Sequence, residues 1–173
     1  MNYFKYIPID VVNGEGTRCV LFVCGCEHYC QGCYNQATWP FEAGFPFEKD
    51  LEDQIIADLC DTRIKRRGLS LSGGEPLHPR NFDSVYNMLM RIRKECPPQK
   101  DVLMWTGYTL DNLTTDQKRI VDLVDVLIDG KFVESLKDKK LLWRGSSNQV
   151  IHRFDRSDAW WKKEPRAENT SEQ

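Results

Sequence analysis

No part of this chain is apolar over the ~18 residues that a bilayer crossing needs, so a membrane-spanning helix is not expected. Neither charge is in surplus. Twenty-four lysines and arginines stand against 26 aspartates and glutamates, a net of −2. That balance gives no footing for nucleic acid or for an anionic membrane surface. Met1 to Pro8 lack the basic-then-apolar layout and cleavage site of a secretory leader. Histidine is scarce, three in 173 residues, and no serine–histidine–acid arrangement is readable. No internal repeat is found. What is left is a chain 40% hydrophobic and 29% charged, the composition of one soluble domain with a substantial core.

Cysteine is plentiful by contrast. Seven thiols, an odd number, read as metal ligands and free thiols of a reducing cytoplasm, the expected location, and not as a disulfide framework. Three of them, Cys26, Cys30 and Cys33, have the spacing C-x3-C-x2-C. A structural zinc site needs four protein ligands, and an electron-transfer [4Fe–4S] cluster takes four cysteines. Three thiolates leave one iron open to a substrate. Cys24, in Cys24-Gly25-Cys26, is near enough to compete, and is read here as an inert cysteine. As a fourth ligand it would instead make a non-catalytic zinc or iron–sulfur module. Cys19, Cys60 and Cys96 read as small buried hydrophobes. His28, inside the loop, is read as facing solvent or supporting the loop from behind, not as a ligand. His78 and His152 have no spaced partners that would make a metal site.

Apolar runs of strand length alternate with amphipathic helical segments from residue 17 to about 153. Strands are expected at Thr17–Val23, Leu69–Ser72, Val102–Thr106, Val126–Asp129 and around Gln149–Ile151. Helices are expected from Asp50 to Cys60, through Phe82 to Ile92 with a stop at Pro97-Pro98, and after a cap at Thr114. The run Arg63–Arg67 reads as a solvated helix end. Such alternation predicts an α/β fold with a mostly parallel sheet of five or six strands and a site at the carboxyl ends of the strands. Residues 1–154 form the expected domain. Residues 155–173 read as a polar tail, largely disordered, in which Trp160-Trp161 either packs back on the domain or grips a partner.

One βα unit after the cysteine loop stands Gly73-Gly74-Glu75-Pro76. Two glycines at a strand end let backbone approach a ligand closely, and the glutamate with the freed backbone groups can receive an ammonium. With these two motifs in this order the chain resembles the radical S-adenosylmethionine enzymes. The segments Asn13–Arg18, Cys33–Trp39, Ser72–Leu77, Ile128–Phe132 and Arg144–Gln149 resemble one branch, the glycyl-radical activases of anaerobic ribonucleotide reduction. Arg144–Gln149 favours that branch over pyruvate formate-lyase activases and carboxy-deazaguanine synthases.

The resemblance implies a small partial (βα) barrel with a [4Fe–4S] cluster on Cys26, Cys30 and Cys33 and S-adenosylmethionine on the open iron. Gly73, Gly74 and Glu75 would meet its methionyl amine, and Gly32, Cys33 and Tyr34 would contact it through backbone. Many members carry an aromatic residue before the third cysteine, where Gly32 stands here. Thr106, Asp129, Ser147 and Asn148 are further candidates for ribose or carboxylate contacts, with a turn or cap role as the alternative. The implied partners are the large catalytic subunit of an anaerobic (class III) ribonucleoside-triphosphate reductase, which would receive a glycyl radical, and a reduced flavodoxin- or ferredoxin-type electron donor.

Overall fold

The computed structural model describes residues 1–163. One seven-stranded sheet organises it. Its centre is four parallel strands, β2 (Arg18–Val23), β4 (Gly68–Gly73), β5 (Asp101–Trp105) and β6 (Val126–Asp129). On one side β1 (Asn2–Asp10) pairs antiparallel with β2 and carries the two-residue β3 (Phe45–Pro46) at the edge. On the other side β7 (Val150–Arg153) pairs antiparallel with β6. β2, β5 and β6 are largely apolar, as strands covered on both faces are; all four residues of β6 are buried.

The parallel centre follows the expectation, but the sheet has seven strands where five or six were expected, and both its edges are antiparallel. β1 escaped notice because its burial does not alternate cleanly and Pro8 interrupts it; β3 covers only Asn2 and Tyr3, and the unpaired outer side beyond them tolerates both. The helices are α1 (Lys49–Cys60), α2 (Phe82–Glu95), α3 (Thr115–Val121) and the short α4 (Trp160–Lys163). α2 buries Val85, Met88, Leu89 and Ile92 at 3.6-residue spacing, each contributing roughly 1.5–3 kcal/mol by leaving water. α3 starts in a capping box between Thr114 and Gln117. Among the described residues no helix is long and apolar enough to cross a membrane.

Three local expectations change. Arg66 is buried, not solvated: its guanidinium donates to the carbonyls of Pro8 (2.7 Å) and Asp58 (2.8 Å). Arg67 pairs with Asp101 and Glu15 but stays exposed with Arg63 and Lys65, so Arg66 alone of the basic run leaves solvent. Cys19 and Cys96 are buried, but Cys60 is only half-buried at the end of α1. Arg156 and Trp161 of the expected tail pack on the domain. Arg156 donates to the carbonyls of Val121 and Val124, and Trp161 is buried with the Arg93 guanidinium 4.6 Å from its ring. Trp160 stays substantially exposed. The rest of the expected tail, from Glu164 onward, lies outside the described residues.

Candidate active site

Parallel pairing brings four strand ends to one edge of the sheet. Val23 is level with Gly73 across β2 and β4, so the cysteine loop and the Gly-Gly turn leave side by side. Backbone bonds lock them together: Gly74 N–H donates to Val23 O (2.7 Å), and Glu75 N–H donates to Gly25 O (2.8 Å). Gly73 takes φ +96°, and a Cβ there would stand 2.7 Å from Val23 O, so the turn requires glycine. The cysteine loop is tied further by Gly25 N–H to Thr38 O and Cys26 N–H to Trp39 O. Tyr29 reverses the chain at φ 50° between Cys26 and Cys30.

Cys26, Cys30 and Cys33 line a single cavity of about 790 Å³. Cys24 does not line it. Its side chain is wholly buried, its N–H bonds Asn2 O, and its carbonyl accepts from Asn81 Nδ2 (2.9 Å). Burial pushes the thiols of both Cys24 and Cys26 up to about 11. For Cys26 the nearby Glu75, Cys30 and Cys33 raise it as well, whereas for Cys24 burial acts alone. Burial raises Cys30 too, against the Phe132 backbone and Lys131, which lower it. A metal bound by Cys26 and Cys30 would displace their protons.

The donor set fits a cluster: three soft sulfurs facing one roomy cavity suit iron–sulfur ligation. Among the described residues no three His, Cys, Asp or Glu side chains close around a single metal ion.

Glu75 sits at the junction of the loops, 1% exposed. Its Oε1 accepts from Leu77 N–H (2.9 Å) and Thr106 Oγ1 (2.8 Å). Its Oε2 accepts from Gly107 N–H (2.8 Å) and lies 2.7 Å from His28 Nε2. Four partners occupy the carboxylate, so it organises the turn. The groups of the Gly-Gly segment open to a ligand are backbone ones. Asn81, buried, adds a clamp that sequence reasoning missed, donating to the carbonyls of both Cys24 and Glu75. A polar residue ahead of a helix was its only signal.

Of the other candidates, Tyr34 and Thr106 line the cavity, Asp129 and Asn148 a neighbouring pocket, and Gly32 and Ser147 neither. Gly32, at φ +74°, packs against the Glu134 carboxylate. Tyr34 lines the cavity, three-quarters exposed, with Lys137 Nζ 4.8 Å from its ring centre. Thr106 lines the cavity as well, with its hydroxyl spent on Glu75 and on Tyr108 N–H. Asp129 and Asn148 instead line a neighbouring pocket of about 630 Å³. Asp129 accepts from Leu110 N–H and lies 3.1 Å from His152 Nε2, while Asn148 donates to Lys131 O.

Ser147 is exposed, with its N–H on Leu136 O. The buried members of that segment are its neighbours. Ser146 Oγ accepts from Val133 N–H. Gln149 accepts from Gly145 and Ser146 N–H and donates to Gly130 O. Cavity walls also missed are Phe132, Trp105 and Trp143, with Val11 and Val12 exposed at its rim. His28 turns inward onto Glu75, the supporting role of the two expected for it.

An α/β sheet that gathers three cysteines and a Gly-Gly-Glu turn into one cavity defines a single-cluster iron–sulfur protein. Consistent with this, residues 12–152 match the family model described as a 4Fe-4S single cluster domain. The chain is 61% identical over 152 residues to the anaerobic ribonucleoside-triphosphate reductase-activating protein of Escherichia coli K12, spanning 88% of this chain and 98% of that protein. It is 58% identical over 154 residues to the protein of that name from Vibrio cholerae O1 (89% and 99%), and 41% identical over 162 residues to the one from Enterobacteria phage T4 (94% and 99%). The chain belongs to the family of anaerobic ribonucleoside-triphosphate reductase-activating proteins.

Proposed function

We propose that this protein is a radical S-adenosylmethionine activase, an oxidoreductase of the cytoplasm whose substrate is the large subunit of an anaerobic ribonucleoside-triphosphate reductase. Cys26, Cys30 and Cys33 would hold a [4Fe–4S] cluster and leave one iron without a protein ligand, open to S-adenosylmethionine. When bound, the cluster and S-adenosylmethionine would supply one-electron reductive cleavage of the sulfonium S–C5′ bond, the chemistry needed to take the Cα hydrogen from one glycine of the reductase. The electron comes from a reduced flavodoxin- or ferredoxin-type donor. The sheet is the partial (βα) barrel of this enzyme class.

The chain's own residues bind, orient and exclude. The backbone of Gly73 and Gly74 receives the methionyl amine. Glu75, held by four partners, keeps that turn at a fixed distance from the cysteine loop. Gly32, Cys33 and Tyr34 offer backbone contacts, and Trp105, Phe132 and Trp143 give the cavity an apolar wall. Thr106 acts through Glu75, while Asp129, Ser147 and Asn148 shape the loops beside the cavity. A primary alkyl radical attacks almost any C–H bond, so it must be held against one target. A domain this small cannot enclose a large substrate. An open cavity that admits a loop of the partner suits the task.

The observation that carries this reading is the meeting of all three cysteines with Gly73, Gly74 and Glu75 on one cavity. Anaerobically reconstituted protein should bind about four irons per chain. After reduction it should convert S-adenosylmethionine into methionine and 5′-deoxyadenosine. Four irons with no cleavage would reduce the protein to a passive iron–sulfur module.

A further inference from the structure

His28 lies within the C-x3-C stretch yet points away from any ligand role. Its Nε2 is 2.7 Å from Glu75 Oε2, and both side chains are shielded, at 11% and 1% exposure. The imidazole is built into place from three sides. The Tyr108 ring meets it edge-on at 4.7 Å. Gly107 leaves it room, since a Cβ there would stand 2.6 Å from Nε2 and closer still to Cδ2. Tyr29, next in the chain, holds the left-handed backbone that turns the loop. His28 also borders both the cysteine cavity and the smaller pocket beside Asp129, as do Gly107 and Gly130, so it forms part of the partition between them.

The remaining three partners of Glu75 come from the turn itself and from the end of β5. His28 alone brings a side chain from the cysteine loop to that carboxylate. We infer that His28 is a positioning residue: through Glu75 it sets the separation between the cluster-holding loop and the Gly73-Gly74 backbone, and so the affinity of the site for S-adenosylmethionine. This rests on the proposed function and extends it to a residue that meets neither cluster nor substrate. A hydrogen bond to a buried carboxylate is among the stronger ones. Losing it shifts the turn without removing any thiolate.

The test is equilibrium binding of S-adenosylmethionine to full-length, anaerobically reconstituted protein, with iron content and melting temperature measured on the same samples. His28→Ala should keep its iron and bind about tenfold more weakly, as loss of one charge-assisted bond predicts when part of it reaches the ligand. His28→Gln, whose amide nitrogen occupies nearly the position of Nε2, should return to within about threefold of wild type on the same scale. Gly107→Ala should reproduce the weakening by displacing the ring while leaving the histidine in the chain.

Three results in the His28 variants would overturn the inference: wild-type affinity in His28→Ala, equal losses in the Ala and Gln variants, or loss of iron in His28→Ala, which would make the histidine a support of the cysteine loop alone. Wild-type affinity in Gly107→Ala would count against it equally. A wild-type protein that holds four irons and binds no S-adenosylmethionine would overturn the proposed function itself, and this inference with it.

Discussion

Glu75 shows how a single side chain can join three loops. Four donors converge on a carboxylate that solvent does not reach, and burial of an ion is tolerable only with such complete pairing. Glu75→Ala strands those donors and should cost about 3 kcal/mol. For a chain of this size that is a fall in melting temperature of roughly 6–12 °C. A calorimetric scan of the iron-free protein checks it, and an unchanged transition would mean the network is not formed.

The cysteines divide in the same concrete way. Cys30→Ala should lose cluster and activity together. Cys24→Ala should retain its iron, because that thiol is buried off the cavity; loss of iron there would contradict the ligand assignment. Spacing alone singled out the three cysteines that line the cavity. It left Cys24 open, because reach along a chain says nothing about which way a side chain turns. The serine and glutamine of Arg144–Gln149 illustrate the same gap: Ser147 and Asn148 look as polar as Ser146 and Gln149, yet burial selects the latter pair.

At the scale of elements, the parallel centre was readable because short strands rich in apolar residues alternate with amphipathic helices. β1 and the antiparallel sense of β7 were not readable. A half-exposed edge strand carries a weak pattern, and strand direction is a property of the whole sheet.

Arg18, the first residue of β2, shows what joins these strands. Fully buried, its guanidinium donates to Ser70 Oγ (2.7 Å) and Leu69 O (2.8 Å) on β4 and pairs with Asp101 of β5 at 2.6 Å. One side chain therefore stitches three parallel strands at the end opposite the site. Arg18→Met removes one partner of a buried ion pair and should destabilise by about 3 kcal/mol, read as a lower urea midpoint with an unchanged slope. A midpoint equal to wild type would show that Arg67, which also reaches Asp101, carries the strand join alone.

The whole molecule is a sheet with one functional edge. The cysteine loop, the Gly-Gly-Glu turn, Thr106-Gly107 and Gly130 follow four successive parallel strands and face one cavity. Its rim is open, with Val11, Val12 and Tyr34 exposed. Such a shape suits a reaction in which the target arrives on another protein.

The central claim is tested most directly by electron paramagnetic resonance on a mixture of the reduced, reconstituted protein, S-adenosylmethionine and the host's anaerobic ribonucleoside-triphosphate reductase. The prediction is a carbon-centred radical on the reductase whose hyperfine splitting changes when its glycine is deuterated at Cα, and none when Cys30→Ala replaces the wild type. Consumption of S-adenosylmethionine without that signal would contradict the assignment of the reductase as substrate.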